Sequence, residues 1–279
     1  MMISIAVPSF NYARFLDACL GSIAAQDHDD FEVLIADGGS TDDSLAVIER
    51  FVGHDRRFRL ISRSDTGQAD AIQKAFAFAE GDVFCFLNAD DCYLTDHVLS
   101  DVVAAFEAEP DAALVSFGGS YVDAAGAVLR SVNLRYHPCD SLENLPWRSS
   151  VLQPATFWRR EVQLRFPFRT EFHYCFDALF FWQAWRAFRW MEREPRVAGY
   201  RLHGDNKSLQ VRPQRVLELA RFERIKFGER SLRALWLSAL GHFLAACEHL
   251  PWIGRPIGRG AYLINNGLAF VTCYRWPGI

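Results

Sequence analysis

Short apolar runs alternate with helical patterns over the first 120 residues. The apolar runs predict five strands, at residues 3–7, 31–36, 58–61, 83–87 and 113–117. Between the runs, apolar residues such as Phe15, Cys19 and Ile23 recur at helical spacing, which predicts four amphipathic helices. Strands that are apolar throughout are typical of a parallel sheet with helices on both faces. The sequence therefore predicts an α/β fold built on a mostly parallel sheet.

The pattern changes after residue 120. A turn at residues 123–126 predicts a hairpin, residues 153–160 and 196–203 are strand-like, and residues 178–190 predict an apolar, aromatic helix. From Pro213 onward the signals are helical and are interrupted by Pro and Gly. We therefore divide the chain into three parts. They are a first α/β half (1–120), a second half of the same domain (121–210) and a helical extension (211–279).

Composition and charge narrow the class of protein. The chain has 279 residues, of which 50% are hydrophobic and 23% are charged, so it is neither disordered nor fibrous. A net charge of -4 is too small and of the wrong sign for a dedicated nucleic-acid binder. From Val211 onward ten Lys and Arg outnumber four Asp and Glu, so the extension carries +6 and the preceding residues carry -10.

The seven cysteines and the apolar stretches bear on localisation. The number is odd and there is no Cys-x-x-Cys, which favours buried thiols in a reducing compartment. The N-terminus has no basic segment typical of a signal peptide. The longest uncharged apolar stretches, 234–247 and 260–274, fall short of the roughly 18 residues of a spanning helix. We expect a cytoplasmic protein, with peripheral contact to the inner face of the membrane as an open option.

Polar residues follow four of the predicted parallel strands, where an open sheet binds its ligands. The segments are Pro8-Ser9-Phe10-Asn11, Asp37-Gly38-Gly39-Ser40, Ser64-Asp65-Thr66-Gly67 and Asn88-Ala89-Asp90-Asp91. One such segment is ordinary turn chemistry, but four at one edge indicate a binding site. No glycine-rich phosphate loop follows the first strand, so another group must neutralise a bound diphosphate. Paired carboxylates suggest a divalent metal, Mg²⁺ or Mn²⁺.

The longer runs that contain these segments, at residues 7–11, 35–42, 65–74 and 81–91, resemble family 2 glycosyltransferases of the GT-A fold. The resemblance extends over roughly residues 3–210 and is strongest over 3–95. It implies a GT-A (Rossmann-like), mostly parallel sheet flanked by helices. It also implies a nucleoside-diphosphate sugar donor, usually a UDP-sugar, a divalent metal, and inversion at the anomeric carbon. A glycan or lipid-linked acceptor in cell-surface polysaccharide or glycan biosynthesis is the expected partner.

The resemblance assigns nucleotide contacts in the first half to Pro8, Ser9, Asp37, Asp65, Lys74, Asn88 and Ala89. Pro8 and Ser9 would lie against the nucleoside, and Asp37 would bind the base. Lys74 would support this pocket, although a solvated helix position explains it equally well. Asn88 stands where the family's Asp-x-Asp motif begins with Asp, so this position offers an oxygen without a charge.

The same resemblance assigns the metal and the sugar. Asp90 is the expected metal ligand, and Asp91 would bind the metal through water or only support the groups that bind it. His203 would ligate the metal or contact the diphosphate, with a structural histidine as the alternative. Gln153 would contact a sugar hydroxyl, and its alternative is a polar residue at a strand edge.

Asp177 matches the family position of the catalytic base. It is a single carboxylate among the apolar residues 174–182, at the start of a predicted helix. An apolar setting raises the pKa of a carboxyl group and makes it a stronger base. The alternative role is a helix N-cap, which Asp fills readily. Glu171 and His173 are weaker candidates for the base.

Other functions remain open at this stage. A non-catalytic nucleotide- or glycan-binding module of the same fold would tolerate Asn88. A nucleotidyltransferase would need a glycine-rich, basic loop after the first strand, and this chain has none there. The basic, aromatic extension has three readings: a helical cap with Arg stems on apolar surface, an interfacial helix at anionic lipid, or a homodimer surface.

Overall fold

The computed structural model describes residues 1–62, 64–132, 151–207 and 212–248. The strands are β1 (Ile3–Ser9), β2 (Phe31–Asp37), β3 (Phe58–Ser62), β4 (Val83–Phe86), β5 (Cys92–Tyr93), β6 (Leu114–Val122), β7 (Val128–Val132), β8 (Thr156–Arg159) and β9 (Trp190–Arg201). The helices are α1 (Ala13–Ala24), α2 (Ser44–His54), α3 (Gln68–Phe76), α4 (Val98–Ala108), α5 (Arg160–Arg165), α6 (Phe176–Ala187), α7 (Pro213–Phe227) and α8 (Leu232–Glu248).

The strands within this part of the chain form one sheet in the order β3-β2-β1-β4-β8-β6-β9-β5, with β7 paired to β6. The first four strands in this order are parallel, and Ile5 of β1 pairs with Val33 of β2 and Cys85 of β4. Every residue of β1, β2 and β4 is buried, as the apolar runs predict. The predicted α/β fold with a mostly parallel sheet is confirmed.

The second half of the sheet is mixed. β8 runs antiparallel to both β4 and β6, whereas β9 is parallel to β6. The predicted hairpin is present, because β6 and β7 pair and Asp123 Oδ1 accepts the amide hydrogens of Ala125 and Ala127 at 2.9 Å each. Residues 153–160 are not one strand: a 3₁₀ turn at Gln153–Ala155 precedes β8, and α5 begins at once after it.

Helical spacing identifies the buried faces correctly. Phe15, Cys19, Leu20 and Ile23 of α1 are buried against the sheet. Much of the aromatic content packs around the fully buried Trp158 of β8, whose ring neighbours are Phe76, Phe86, Phe168, Phe180 and Phe181. The rings of Trp158 and Phe180 have centroids 4.9 Å apart. Such pairs add specific ring contacts to the apolar burial that stabilises the sheet.

The described residues divide into two compact units. The first contains the whole sheet and comprises 1–132, 151–171 and 180–203, except residue 63; the second comprises 172–179, 204–207 and 212–248. The boundaries drawn from the sequence remain predictions, and residues 249–279 of the predicted extension lie outside the described residues. None of the described helices combines the length and apolar character needed to cross a membrane.

Four cysteines whose side chains the structure describes are free. Cys19, Cys85 and Cys175 are buried, and Cys92 is half-buried. Burial raises the pKa of the Cys85 thiol to about 12. These thiols therefore act as small apolar groups, as predicted, while Cys139 and Cys273 lie outside the described residues.

Candidate active site

The loops after β1 and β2 hold each other in the first unit. Ser9 carbonyl oxygen accepts the Gly38 amide hydrogen at 2.8 Å. Asn11 adopts a left-handed backbone with φ of 58°, which is uncommon for a residue with a side chain. Its Oδ1 accepts the Thr41 amide hydrogen at 2.8 Å, and its own amide donates to Ser40 Oγ at 2.8 Å. These bonds fix two of the predicted strand-end segments side by side.

Pro8, Ser9 and Asp37 lie within the last residues of the two strands. Pro8 pairs with Ala36 in the sheet. Ser9 is 4% exposed, and its hydroxyl has no hydrogen-bond partner among the described residues. Asp37 is fully buried, and its Oδ2 accepts the amide hydrogens of Gly39 and Ser40 at 3.0 and 2.8 Å. Asp37 thus shapes its own loop, while the buried Ser9 hydroxyl is available to bond a ligand.

Gly38 lies where Asp65 and Phe10 approach the β2 loop. A Cβ at Gly38 would be 2.9 Å from Asp65 Oδ2 and 3.2 Å from Phe10 Cδ2, so a side chain here would displace both. Burial raises the pKa of the Asp65 carboxyl. The Phe10 ring is 56% exposed. Sequence reasoning did not single out Phe10, although a large aromatic residue directly after a buried strand was a signal.

Lys74 contacts residues of its own helix and of the loop that precedes it. Its Nζ is 2.9 Å from Asp70 Oδ2 and donates to the Ser64 carbonyl oxygen at 2.9 Å. Asp70 Oδ2 also accepts the Thr66 amide hydrogen at 2.9 Å. Lys74 therefore supports the loop that carries Asp65, and a direct contact to the nucleotide stays a prediction.

Asn88 is the centre of a hydrogen-bond network. Its Oδ1 accepts from Gln68 Nε2 at 2.6 Å, and its Nδ2 donates to Asp91 Oδ2 and Gln153 Oε1 at 3.2 Å each. Gln153 Nε2 in turn donates to the Phe86 carbonyl oxygen at 2.6 Å. The network ties α3, the β4 loop and the 3₁₀ turn together around the buried Ala89. The predicted contacts of Asn88, Ala89 and Gln153 to a donor stay predictions, since the two amides already serve this network.

Asp91 faces inward. It is 1% exposed, its Oδ1 accepts the Arg201 amide hydrogen at 2.9 Å, and its Oδ2 accepts from Asn88. Burial, and then the neighbouring Asp90 charge, raises the pKa of Asp91 well above its usual range. The carboxylate joins the β4 loop to β9, an arrangement that favours a structural role over the predicted contact with a metal.

Asp90 and His203 form a pair at the edge of the sheet. His203 Nε2 lies 2.9 Å from Asp90 Oδ2. The His203 ring packs on Phe15, with centroids 4.7 Å apart, and contacts Tyr12 edge-on. The buried Arg201 holds the other side, because its Nε donates to the Asp90 carbonyl oxygen at 2.7 Å and its guanidinium lies over the Phe15 ring. Sequence reasoning missed these contacts of Phe15 and Arg201 with the pair, since α1 and β9 are far apart in the chain.

No group of three or more His, Cys, Asp and Glu side chains in the described ranges is arranged to hold a metal ion. The metal contacts predicted for Asp90, Asp91 and His203 stay predictions. The structure brings Asp90 and His203 together and turns Asp91 to other partners.

Asp177 lies in the second unit, in the first turn of α6. It is partly buried, and burial raises the pKa of its carboxyl, while the charges of Lys207 and Arg215 act in the opposite direction. Its Oδ1 accepts the amide hydrogen of Ala178 at 2.8 Å, and Asp177 is the second residue of α6. Glu171, a weaker candidate for the base, is exposed and pairs with Arg169.

The comparison with known proteins now decides the family. Residues 4–180, more than half of the chain, match the model of glycosyl transferase family 2. The chain belongs to this family. One relative of this family 2 protein is the PGL/p-HBAD biosynthesis glycosyltransferase of Mycobacterium bovis (strain BCG / Pasteur 1173P2), 34% identical over 160 residues. The aligned residues are 57% of this chain and 59% of the relative, so less than two thirds of the relative is covered.

Solved structures of other glycosyltransferases share the fold. S. aureus TarS 1-349, in complex with UDP-GlcNAc, matches with a TM-score of 0.64 and 19% identity over 85% of this chain and 69% of TarS. The mannosyltransferase PcManGT from Pyrobaculum calidifontis, in complex with GDP-Man and Mn²⁺, matches with a TM-score of 0.59 and 19% identity. That match covers 94% of this chain and 79% of PcManGT. At this identity the likeness concerns the fold, and the predicted GT-A fold is confirmed.

Proposed function

We propose that this family 2 protein transfers a sugar from a nucleoside-diphosphate sugar to an acceptor hydroxyl with inversion, in the synthesis of a surface polysaccharide or glycan. The observation that carries the proposal is the Asp90–His203 pair at the carboxyl edge of the parallel strands. The same edge presents the unpartnered Ser9 hydroxyl and the exposed Phe10 ring. The UDP-GlcNAc and GDP-Man complexes of the structural relatives support a donor of this class.

The nucleoside would bind at the loops after β1 and β2. The Phe10 ring offers a face on which a base can stack, and Asp65 beside Gly38 offers a carboxyl group for its polar edge. Pro8 and Ser9 would line the buried side. Family resemblance and the TarS complex favour UDP as the nucleotide.

The residues at the edge fit a divalent metal, Mn²⁺ or Mg²⁺. Asp90 and His203 would hold the ion, since an oxygen and a nitrogen donor already lie 2.9 Å apart. Ions of this kind commonly bind through one or two protein groups and complete their coordination with substrate phosphates and water. When bound, the ion stabilises charge on the leaving diphosphate as a Lewis acid.

Asp177 would act as the base. Its carboxylate takes the proton of the acceptor hydroxyl while the acceptor oxygen forms a bond to the anomeric carbon. The bond from that carbon to the diphosphate oxygen breaks in the same displacement, which inverts the configuration. A carboxyl whose pKa is raised by burial is a better proton acceptor than an ordinary surface aspartate.

An apolar stripe on α8 supports a membrane partner. Leu232, Leu235, Trp236 and Phe243 follow helical spacing on one face and are 83%, 50%, 44% and 53% exposed. Arg230 and Arg233 are exposed beside Leu232. Apolar residues flanked by arginines complement a bilayer that contains anionic lipid. Anionic lipid is therefore the proposed partner of this stripe, and binding to it would bring the enzyme to a lipid-linked acceptor.

The function is tested with a panel of UDP-glucose, UDP-galactose, UDP-GlcNAc and GDP-mannose, with Mn²⁺ and a set of alkyl glycoside acceptors. The expected result is release of the nucleoside diphosphate from one donor. NMR of the product should show the anomeric configuration opposite to that of the donor. A product of the same configuration would contradict inversion. Tight donor binding without any turnover would favour the alternative, a non-catalytic nucleotide- or glycan-binding module.

A further inference from the structure

Glu218 of α7 holds the backbone that leads into α6. Its Oε1 accepts the His173 amide hydrogen at 2.7 Å, and its Oε2 accepts the amide hydrogens of Tyr174 and Cys175 at 2.7 and 3.3 Å. The Glu218 residue is 2% exposed. One buried carboxylate therefore binds three successive amides of the loop that ends immediately before α6, and every partner lies in the second unit.

The chemistry of this contact requires a carboxylate. Burying a charged group is costly unless it is hydrogen-bonded, and three N–H donors satisfy that condition. A glutamine would offer one acceptor oxygen and would turn an NH₂ group, itself a donor, toward the remaining amides. An aspartate would keep both oxygens but would be shorter by one methylene.

Other charged groups surround the loop. Lys207 Nζ lies 5.0 Å from the centroid of the Tyr174 ring. Burial lowers the pKa of Lys207, while the charges of Glu218 and Asp177 oppose that change. The positive charge of Arg215 in α7 lowers the pKa of the Cys175 thiol and of the Asp177 carboxyl group, against the larger effect of burial. Charged groups of both signs therefore surround the loop before α6.

We propose that Glu218 is a positioning residue for Asp177, an inference that rests on the proposed role of Asp177 as the base. Asp177 is two residues beyond the last amide that Glu218 binds, so the loop fixes where the first turn of α6 begins. Loss of these bonds would let the loop and the first turn shift. Displacement of a catalytic group by about 1 Å can cost on the order of 10²-fold in rate.

Glu218 belongs to the helical extension of the chain. Glu218 lies 43–45 residues beyond the amides that it binds, within the part that the sequence marks only as basic and aromatic. α7 would then be a working part of the catalytic machinery and not a detachable cap.

The test compares Glu218→Gln and Glu218→Asp with Glu229→Gln in the full chain. Glu229 is a matched control because its side chain is 87% exposed in the turn after α7 and pairs with Arg224 at 3.7 Å. We expect Glu218→Gln to lower kcat by about 10- to 100-fold, Glu218→Asp to recover part of it, and Glu229→Gln to equal the parent. UDP affinity with Mn²⁺, measured by calorimetry, should stay within about twofold of the parent value because Glu218 takes no part in donor binding.

The pH profile separates positioning from general support of the fold. A looser first turn would expose Asp177 to water, so its raised pKa would move toward the ordinary value. The acidic limb of kcat should therefore shift to lower pH in Glu218→Gln. An unchanged kcat and limb would overturn the proposal, as would an equal loss of UDP affinity and kcat with a lower Tm.

Asp177→Asn is assayed in parallel, so that two failures can be told apart. If Asp177→Asn loses transfer while Glu218→Gln equals the parent, only the positioning role is overturned. If Asp177→Asn retains transfer, the proposed base is wrong, and the positioning role falls with it.

Discussion

Asn88 stands where the family's Asp-x-Asp motif begins with Asp. Its side-chain amide makes a hydrogen bond that an aspartate could not donate. The Nδ2 group donates to the Asp91 carboxylate at 3.2 Å. An aspartate in its place would lack this donor and would add a third carboxyl group beside Asp90 and Asp91, and like charges disfavour each other. The Asn88 side chain therefore fits the hydrogen-bond network around Asp91.

At this scale the sequence predicts residue types better than residue roles. Asp90 and Asp91 are adjacent and chemically identical, yet one faces His203 and the other faces Arg201 and Asn88. The difference depends on β9, which is about 110 residues away in the chain and meets the loop only through the sheet. No spacing rule contains that information, so the sequence could not predict which of the two carboxyl groups faces His203.

The Asp90–His203 pair predicts the metal dependence of donor binding. We expect Asp90→Asn and His203→Ala each to weaken Mn²⁺ binding in the presence of UDP by at least about tenfold, because each removes one of two protein donors. Calorimetric titration of Mn²⁺ measures this directly.

Asp91→Asn is the matched control for that titration. Its amide would face the Asn88 Nδ2 group donor to donor, so we expect a lower Tm in thermal unfolding. The effect on Mn²⁺ affinity should be smaller than in the other two variants. An Mn²⁺ affinity that falls only in Asp91→Asn would contradict the assignment of the pair.

The raised pKa of Asp177 predicts the pH dependence of transfer. A base works in its deprotonated form, so activity is lost as the pH falls through the pKa of the base. Because burial raises the pKa of Asp177, the acidic limb of kcat should lie above the value of about 3.9 that an ordinary aspartate shows. A pH–rate profile tests this, and a limb at or below the ordinary value would speak against Asp177.

At the scale of elements, the parallel half of the sheet could be predicted, whereas the strand order of the mixed half beyond its hairpin could not. Strands β1, β2 and β4 are buried runs between amphipathic helices, and such runs imply parallel neighbours. β5 has two residues and α5 has six, which is too short for any periodicity to appear. The antiparallel insertion of β8 between β4 and β6 follows from long-range pairing that a local pattern cannot express.

The stripe on α8 predicts binding to anionic bilayers. In flotation assays, the protein should bind phosphatidylcholine vesicles that contain phosphatidylglycerol and bind pure phosphatidylcholine vesicles more weakly. The double change Leu235→Ser with Trp236→Ser should weaken binding by at least about tenfold, because it removes two apolar side chains from the interface.

Phe78→Ser provides the control for the stripe, since Phe78 is a similarly exposed phenylalanine in the first unit. It should leave vesicle binding unchanged. If the protein instead forms a dimer by light scattering, and the double change on α8 abolishes the dimer without affecting vesicle binding, the stripe is a surface between copies of the chain.

At the scale of the whole molecule, the net charge of -4 divides into an acidic body and a basic extension. The body contains Asp37, Asp65, Asp90 and Asp91, of which the structure uses Asp37 and Asp91 to hold loops. In the extension, Glu218 serves the loop before Asp177, and the exposed stripe of α8 is a separate surface. Charged residues on each side of this division thus make different kinds of contact, and composition alone could not distinguish them.

The central claim, inverting transfer with Asp177 as the base, is tested most directly by one comparison. The rate of sugar transfer and the affinity for UDP with Mn²⁺ are measured in the parent and in Asp177→Asn. We predict that transfer falls by at least about 10²-fold while UDP affinity stays within about twofold, because the amide cannot accept the proton but occupies the same space. Retained transfer, or an equal loss of UDP affinity, would contradict the account.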